Sequence, residues 1–472
     1  METDYNSQGE ISREDLPLKS NKPTSTCEEY IGGSKFINIS FGTLTVIITI
    51  ALLLQIYYGD YQVVPHGSVA TDNLECSEIG TAVLKKGGNA VDAAIASTFC
   101  LSVFAPHITG LDADGQLLMY NHRLRAPAVL VDFSNLNVST DLPRLVLGLA
   151  YCHKKYGSLS WKDLIEPSIK YARDGFLVSK VLVQAVQLRK AVELFGHLEA
   201  SQLIRVKKLP ETMQSIAEVP ENQLYSYIKP DNTPIETEAY KFTFNNYNIF
   251  VPNVPSIGPE LAVVMKQIEK FKFTLEDTKK TRFFYKMAEI MQIVYRDFNI
   301  GLKFHEGVSA NVVAVDKDDN YVSLITGLTF LFGSGEMTSS GYIMNAKLEN
   351  RQCSRLPILI TDANHVCGRR IIFGANNIAM AAQVISSLLL ADMNVTESIE
   401  SPRFHLSPIG TIGLERFHYP SFDKEIAQYL QSLSSVPYPV YEPYESVNIV
   451  EKTGDLLSSH SDSRGGGIAS RF

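Results

Sequence analysis

The amino-acid sequence predicts a layered α/β sandwich that is preceded by one transmembrane helix. Helical patterns come first, a strand-rich stretch follows, and a long helix comes after it. The predicted helical patterns are 81–104, with a turn at Gly87-Gly88, and 161–173, 260–271 and 378–390; the predicted strands are 311–315, 321–326, 342–344 and 371–374. This order favours helices layered on a sheet. Neither a Gly-x-Gly-x-x-Gly pattern nor a phosphate-loop pattern supports a doubly wound nucleotide fold.

Composition excludes several classes of protein. The 472 residues include 43 Lys+Arg against 51 Asp+Glu, and 45% of them are hydrophobic. This ordinary globular balance excludes wholesale disorder. An acidic chain without a Lys/Arg block also lacks the charge that nucleic-acid binding needs. The six cysteines form no zinc-binding pattern, so we expect neither a metal nor a cofactor.

The transmembrane prediction depends on residues 36–58, which carry no charged side chain and reach the length of about 20 residues that a bilayer span requires. A buried core helix is the alternative interpretation. Lys and Arg precede the run at four positions, and none follows until Lys85. The positive-inside rule then predicts a cytosolic, disordered tail over residues 1–35 and a single-pass type II protein. Its C-terminal ectodomain would be extracellular or lumenal, at the plasma membrane or in the secretory pathway.

In an extracellular or lumenal compartment, Asn-x-Ser/Thr triplets can be glycosylated and cysteines can form disulfides. Asn137 and Asn394 each begin an Asn-x-Ser/Thr acceptor triplet. Five cysteines follow the predicted span, an odd number that leaves at least one unpaired within the chain. Because Cys100 lies in an apolar helical pattern, we expect it to be a small buried hydrophobe.

Several short motifs carry a resemblance to a known family. In chain order they are Lys86-Gly87-Gly88-Asn89-Ala90-Val91-Asp92-Ala93-Ala94-Ile95-Ala96, Tyr156-Gly157-Ser158-Leu159-Ser160-Trp161, Pro255-Ser256-Ile257-Gly258, Phe332-Gly333-Ser334, Ser340-Gly341, Asn345, Pro402-Arg403-Phe404-His405 and Ser461-Asp462-Ser463-Arg464-Gly465-Gly466. Together they resemble the gamma-glutamyltransferase family, also called glutathione hydrolases, over nearly the whole ectodomain. Each motif alone is weak, but their shared order makes the resemblance specific. The uncleaved anchor is similar to the transmembrane type of this family.

The resemblance implies a four-layer αββα sandwich of the N-terminal nucleophile hydrolase type. It also implies a large-subunit-like region over residues 59–308 and a small-subunit-like region over residues 309–472. In such enzymes the chain cuts itself before a Thr, whose hydroxyl then takes the gamma-glutamyl group of glutathione as an ester. The freed α-amine, with a reference pKa of about 7.7–8.0, can act as the base for that hydroxyl.

Four positions correspond to the catalytic machinery. Ser309 stands in the place of the nucleophilic Thr; it retains the hydroxyl but lacks the methyl group that restricts the rotamer. Its alternative interpretation is a turn hydroxyl at the start of a strand. Asn311 stands where many members have His. Asn376 and Asn377 replace a Gly-Gly turn that supplies oxyanion donors, and the loss of one such donor lowers the rate by about 10²–10³.

The positions that hold the substrate in the family differ further. Ser134 replaces the Arg that pairs with the glutamyl carboxylate, a change that costs about 2–5 kcal/mol for a desolvated pair. Lys347 and Asn350 replace the acidic pair that holds the substrate ammonium, and Lys347 would repel that ammonium. The remaining substrate-binding positions are Thr329 and, in place of paired serines, Cys353 and Ser354. The chain between Asn135 and Asp141 is also shorter than the pocket-covering segment of active members.

Three hypotheses follow. The first is a membrane-tethered relative of glutathione hydrolase with weak or lost activity. The second is an active enzyme that uses Ser309 as nucleophile and takes glutathione or another gamma-glutamyl compound. The third is a cell-surface interaction or regulatory protein that pairs with another family member in a heteromer. In all three the lipid bilayer is a partner and nucleic acid is not.

Overall fold

The computed structural model describes residues 27–58, 65–136, 142–189, 191–348, 351–436 and 438–472. The chain divides into two compact units, Met1–Val63 and Val64–Phe472, each described here by itself. Most of the predicted cytosolic tail lies outside the described residues. The first described helix, α1, runs over Cys27–Tyr58 and so begins nine residues before the predicted span. Within α1 the stretch Lys35–Tyr57 is long and apolar enough to cross a membrane.

The second unit contains fourteen further α-helices among the described residues. They are α2 Leu74–Lys85, α3 Ala90–Phe104, α4 Arg144–Tyr156, α5 Trp161–Asp174, α6 Lys180–Arg189, α7 Val192–Phe195, α8 Leu209–Glu218, α9 Glu221–Ser226, α10 Gly258–Glu269, α11 Thr281–Asp297, α12 Ile300–Lys303, α13 Ile378–Leu389, α14 Val395–Glu400 and α15 Lys424–Ser432.

The described part of the chain contributes nineteen strands. They are β1 Ser68–Ala70, β2 Asp114–Asn121, β3 Val129–Asp132, β4 Phe176–Leu177, β5 Leu203–Ile204, β6 Ile235–Glu238, β7 Tyr240–Phe244, β8 Tyr247–Val251, β9 Phe304–His305, β10 Ala310–Val315, β11 Asn320–Gly327, β12 Gln352–Cys353, β13 Leu356–Asp362, β14 Arg370–Ala375, β15 Phe404–Leu406, β16 Ile412–Leu414, β17 Asn448–Thr453, β18 Leu456–Ser461 and β19 Ser470–Arg471.

Two antiparallel sheets form the centre of this unit. The first has the order β19-β1-β10-β11-β2-β3-β6 and the second β18-β17-β14-β13-β8-β7. One buried cluster joins the first sheet to α2, α3, α4, α5 and α8, and another joins the second sheet to α10, α11, α13, α14 and α15. A third cluster lies between the sheets. The predicted four-layer αββα sandwich is therefore confirmed.

Period-two alternation explains how the layers form. On β10, Val312 packs against the helices while Val313 packs between the sheets. On β14, Phe373 packs against the outer helices while Ile372 faces the inner layer. Successive side chains of a strand point to opposite faces, so each strand contributes to two cores at once.

Two helices that flank the sheets begin at asparagine caps. The Asn89 side chain accepts hydrogen bonds from the backbone N–H groups of Val91 and Asp92. The Asp92 carboxylate in turn accepts a hydrogen bond from the Asn89 N–H. This capping box starts α3, all of whose fifteen residues are buried. Asn377 caps α13 through the Met380 N–H at 2.9 Å.

The structure differs from two of the predictions. Residues 342–344 do not form a strand, because Thr338 exchanges two hydrogen bonds with Tyr342 and folds the chain into a turn. Cys100 is not a lone buried hydrophobe: it forms a disulfide with Cys76, which lies on the packed helix α2. The sequence pattern shows only that Cys100 is buried, and the bond depends on the packing of α2 against α3.

Candidate active site

Ser309 lies directly before β10 at the edge of a small cavity. Its residue is 6% exposed, and it lines a cavity of about 80 Å³ together with Asp72, His107 and Glu445. Glu445 also accepts the backbone N–H of Ser309. We call this space the Ser309 cavity.

We call residues 304–308, which directly precede Ser309, the upstream segment. Backbone hydrogen bonds hold this segment to neighbouring parts of the chain. Strand β9 pairs in parallel with β12, so that Cys353 lies beside His305. The Ser354 N–H donates to the His305 carbonyl at 2.9 Å. The Val308 N–H donates to the Leu328 carbonyl at 3.1 Å, closing the segment onto the end of β11.

The two predicted oxyanion positions have other roles in the structure. Asn376 donates through Nδ2 to the carbonyls of Glu306 at 2.8 Å and Gly307 at 2.9 Å. These carbonyls lie three and two residues before Ser309, whereas the predicted self-cleavage would take place at the carbonyl of Val308. The Asn377 side chain caps α13. Both side-chain amides are therefore bonded away from the bond that would be cut.

Asn311 is not part of the Ser309 cavity. It is 1% exposed and points between the sheets, where its Nδ2 donates to the Gly374 carbonyl at 2.7 Å. A Cβ atom at position 374 would lie 2.1 Å from the Asn311 Oδ1, so the close approach of the sheets requires glycine there. The Asn311 N–H donates to Asp72 at 2.8 Å, which joins Asn311 indirectly to the wall of the cavity.

Buried acids surround Ser309. Burial raises the pKa of Asp72 to about 6, although Ser446, Asn311 and Asn448 donate hydrogen bonds to it. Burial, together with the charges of Glu306 and Asp72, raises the pKa of Glu445 to about 8. Burial likewise raises the pKa of Glu306 to about 7. The pKa of His107 falls to about 3 because burial disfavours its charged form.

The predicted substrate positions lie in a second cavity. Ser134, Thr329, Lys347 and Cys353 line a space of about 230 Å³, which we call the Lys347 cavity. Ser354 does not line it and instead donates to the Asn376 carbonyl at 2.9 Å. Asn350 lies outside the described residues. The structure thus brings four of the six predicted substrate positions together, in a cavity that Ser309 does not line.

The upstream segment lies close to residues of both cavities. Val308 lines the Ser309 cavity. Gly307 has a φ of +23°, and a Cβ atom there would lie 3.5 Å from the Cys353 sulfur on the side of the Lys347 cavity. Val308 therefore lines the Ser309 cavity, and Gly307 lies next to Cys353 of the Lys347 cavity.

The charges of the Lys347 cavity are largely paired within the protein. Asp114 forms an ion pair with Arg355, and both residues are buried. Asp132 accepts hydrogen bonds from the Gln116 Nε2 at 2.7 Å and from the Ser134 N–H at 2.8 Å. The lining cations that have no ion pair among the described residues are Arg144, Lys347 and Arg351.

Sequence reasoning missed Asp72, Glu445 and Arg144 as residues of these cavities. Asp72 and Glu445 reach Ser309 from opposite ends of the second unit, so no local pattern marks them. Of the two glycosylation positions, Asn394 is exposed and caps α14, and Asn137 lies outside the described residues.

Comparisons with known proteins agree with this architecture. The family model described as gamma-glutamyltranspeptidase matches residues 76–227. Glutathione hydrolase 7 of Bos taurus is 24% identical over 481 residues, covering 76% of this chain and 72% of that protein. Glutathione hydrolase 7 of Homo sapiens is 24% identical with the same coverage. The crystal structure of cephalosporin acylase from Bacillus halodurans superposes with a TM-score of 0.71 at 17% identity, covering 86% of this chain and 96% of that one, which supports the fold. The chain is therefore similar to the gamma-glutamyltranspeptidase family over residues 76–227 and to glutathione hydrolase 7 over 76% of its length.

Proposed function

We propose that this chain is a membrane-anchored member of the gamma-glutamyltranspeptidase family whose cleavage or transfer of gamma-glutamyl groups is weak or lost, and that its ectodomain acts by binding. The observation that carries the proposal is the separation of Ser309 from Ser134, Thr329, Lys347 and Cys353. An acyl transfer requires the nucleophile and the substrate grip to face one space, with reacting atoms about 3–3.5 Å apart.

The size of the Ser309 cavity supports the same conclusion. Its volume of about 80 Å³ is well below the roughly 300 Å³ at which ligand-binding pockets begin. The acids on its wall also compete with catalysis: a carboxyl group that is protonated near neutral pH is a poor acceptor for the Ser309 proton.

The oxyanion geometry adds a further penalty. The Nδ2 donor of Asn376 is bonded to carbonyls two and three residues upstream of Ser309. If the backbone N–H groups of Asn376 and Asn377 do not replace those of the Gly-Gly turn, the tetrahedral intermediate of self-cleavage loses a contribution of about 10²–10³ in rate. Self-cleavage creates the α-amine that family catalysis uses as a base, so an impaired cut impairs every later step.

Membrane topology is part of the proposal. The apolar stretch Lys35–Tyr57 would be the single span, with its Lys- and Arg-containing N-terminal flank in the cytosol. The disulfide Cys76–Cys100 supports an oxidising compartment for the ectodomain, because disulfides persist there and are rare in the cytosol. Glycosylation at the exposed Asn394 would be a direct marker of this topology.

An active glutathione hydrolase remains the second candidate, because cations suited to a carboxylate line the Lys347 cavity. Arg144 and Arg351 both line it and could replace the Arg that is lost at position 134. Arg144 and Arg351 could hold a substrate near Ser309 if the upstream segment moved away after a cut between Val308 and Ser309. Gamma-glutamyl compounds would then enter a merged space.

The test compares the full chain, purified in detergent, with its Ser309→Ala and Ser309→Thr variants. We expect one intact mass for wild type and Ser309→Ala after deglycosylation, and no glutamate release from glutathione. Ser309→Thr should leave glutamate release at background, because the grip lies in another cavity. A cut before Ser309 that disappears in Ser309→Ala, accompanied by glutamate release, would favour the enzyme over the binding protein.

A further inference from the structure

A third cavity lies at the opposite end of the sheets from Ser309. Its volume is about 350 Å³, and its lining includes Tyr120, His122, Arg125, Lys241, Phe250 and Arg370. Tyr120 pairs with Tyr321 near the start of β11, whereas Ala310 pairs with Thr326 near the end of that strand. Six residues at about 3.3 Å each place this Arg370 cavity about 20 Å from Ser309.

The central observation is that Arg370 is buried without an ion pair among the residues that the structure describes. Its residue is only 4% exposed, yet no carboxylate in the described part of the chain lies within ion-pair distance of its guanidinium. Nη2 donates to the Gly454 carbonyl at 2.8 Å, and Nε has no hydrogen-bond partner. A buried guanidinium without a counter-ion carries a large desolvation penalty, which an anion in the cavity would remove.

His122 is a second incompletely bonded group on the same wall. One ring nitrogen donates to the Val366 carbonyl, and Nδ1 is buried without a partner. The pKa of His122 is lowered by burial and by the neighbouring charge of Arg370. Two polar groups with unused hydrogen-bonding atoms therefore meet at one cavity.

The remaining charges of the cavity leave an excess of positive charge. Arg125 and Lys241 line it, as do the acids Glu238 and Asp362. Asp362 is occupied, because its Oδ1 accepts the N–H groups of Asn364 at 2.8 Å and His365 at 2.9 Å. Asp319, which lies nearby, is bound by Lys452 at 2.5 Å. Arg370 therefore forms no ion pair within 4.0 Å among the described residues, and Asp319 acts on it only at longer range.

An aromatic wall completes the cavity. The rings of Tyr120 and Phe250 stack with their centroids 6.0 Å apart and an angle of 22° between their planes. Lys241 lies with its Nζ 5.7 Å from the centroid of the Phe250 ring. A flat apolar surface beside a cationic pocket suits a ligand that carries an anionic group on a ring.

We propose that the Arg370 cavity is a binding site for a tetrahedral oxyanion, held by Arg370, Arg125 and Lys241, with a ring attached to that oxyanion packed against Tyr120 and Phe250. The ligand class is a phosphate or sulfate monoester of an aromatic or other planar group. The site uses none of the residues around Ser309, so it stands whether or not the chain is an enzyme.

The experiment titrates the full chain in detergent with phenyl phosphate, inorganic phosphate and benzyl alcohol by isothermal calorimetry at low salt. We expect saturable binding of phenyl phosphate, weaker binding of inorganic phosphate and none of benzyl alcohol. Arg370→Gln should weaken phenyl phosphate by about tenfold or more, because it removes a charge-assisted hydrogen bond. Phenyl sulfate in place of phenyl phosphate distinguishes the two ester classes.

Arg125→Gln keeps the test valid if Arg370→Gln fails to fold, since Arg125 is exposed and its loss should weaken binding without unfolding the protein. Arg123→Gln is the matched control: Arg123 is two residues away, does not line the cavity, and pairs with Asp318 at 3.1 Å and Asp319 at 3.6 Å. Binding that is absent in wild type, or equally strong in the Arg370→Gln, Arg125→Gln and Arg123→Gln proteins, would overturn the proposal.

Discussion

The Ser309 cavity and the Lys347 cavity are neighbours, yet they differ in size, charge and content. The first is small and its titratable walls are acidic, with Asp72 and Glu445. The second is nearly three times larger, at about 230 Å³ against about 80 Å³, and carries cations such as Arg144 and Lys347. Family resemblance assigns both sets of residues to one site. No described residue lines both cavities, so a shared order of motifs along the chain does not by itself bring residues into one site.

The upstream segment is held mainly by hydrogen bonds to its backbone carbonyls. Asn376 and Ser354 donate to carbonyls of the upstream segment, and these contacts tolerate any side chain at positions 305 and 306. Three variants test the comparison, from the largest expected effect to the smallest.

Asp114→Asn should have the largest effect. It leaves the fully buried Arg355 without its counter-ion, and breaking such a pair destabilises a fold by about 3–5 kcal/mol. The measurement is the free energy of unfolding from urea titration of the full chain. Arg351→Gln, which changes an exposed cation of the same cavity, is the control and should shift stability by less than about 0.5 kcal/mol. Equal effects of the two variants would mean that the Asp114–Arg355 pair does not support the wall of the Lys347 cavity.

Asn376→Ala should loosen the upstream segment. It removes two hydrogen bonds to the upstream segment and should destabilise the protein by about 1–3 kcal/mol. Cys353, whose thiol has a pKa raised to about 11 by burial, should then be alkylated faster, as measured by mass spectrometry of its peptide. Asn377→Ala is the control: it removes a helix cap worth about 1 kcal/mol and leaves the upstream segment bonded. Faster Cys353 alkylation in Asn377→Ala alone would contradict the role assigned to Asn376.

Glu445→Gln should have the smallest effect at acidic pH, where the Glu445 carboxyl is already protonated, and should differ from wild type through the pH dependence of stability. The folded pKa of Glu445 is about 8, above its ordinary value of 4.5, so the folded state holds a proton that the unfolded state has released. Stability should therefore fall as pH rises from about 4.5 to about 8, and the Gln variant should show a shallower fall of the melting temperature over this range. Glu442→Gln changes an acid that bonds Gln184 and should keep the wild-type slope. If the melting temperature of Glu445→Gln fell with pH as steeply as that of wild type, Glu445 would not carry a raised pKa in the Ser309 cavity.

Local patterns predicted much of the fold. The Lys86-to-Ala96 motif contains the Asn89 cap and the Asp92 partner that start α3, and β-branched runs mark β10 and β11. The Asp-Asp-Asn turn between these two strands is a hairpin in the structure, with Asp316 accepting the N–H groups of Asp318 and Asn320. In each case the determining contacts lie within a few residues.

Contacts between distant residues could not be predicted. Asp72 bonds Asn311, Ser446 and Asn448, so its role depends on β10, β17 and the residues before β17, which only the folded sheets bring together. The Cys76–Cys100 bond depends on the packing of two helices. The distribution of the predicted site residues over two cavities depends on the folded chain path, which no local pattern reveals.

The order of strands in the two sheets has a consequence for the chain as an assembly. In the first sheet β19, β10 and β11 come after Ser309, while β1, β2, β3 and β6 come before it, and the second sheet mixes both origins as well. The described disulfide joins two cysteines on the same side of Ser309. A nick between Val308 and Ser309 would therefore yield a noncovalent heterodimer with a shared core, inseparable on a native gel and resolved into two bands by denaturant alone. Residues 1–308 and 309–472 expressed as separate polypeptides would each lack the neighbouring strands that complete their sheets, and would fold only as complementing fragments.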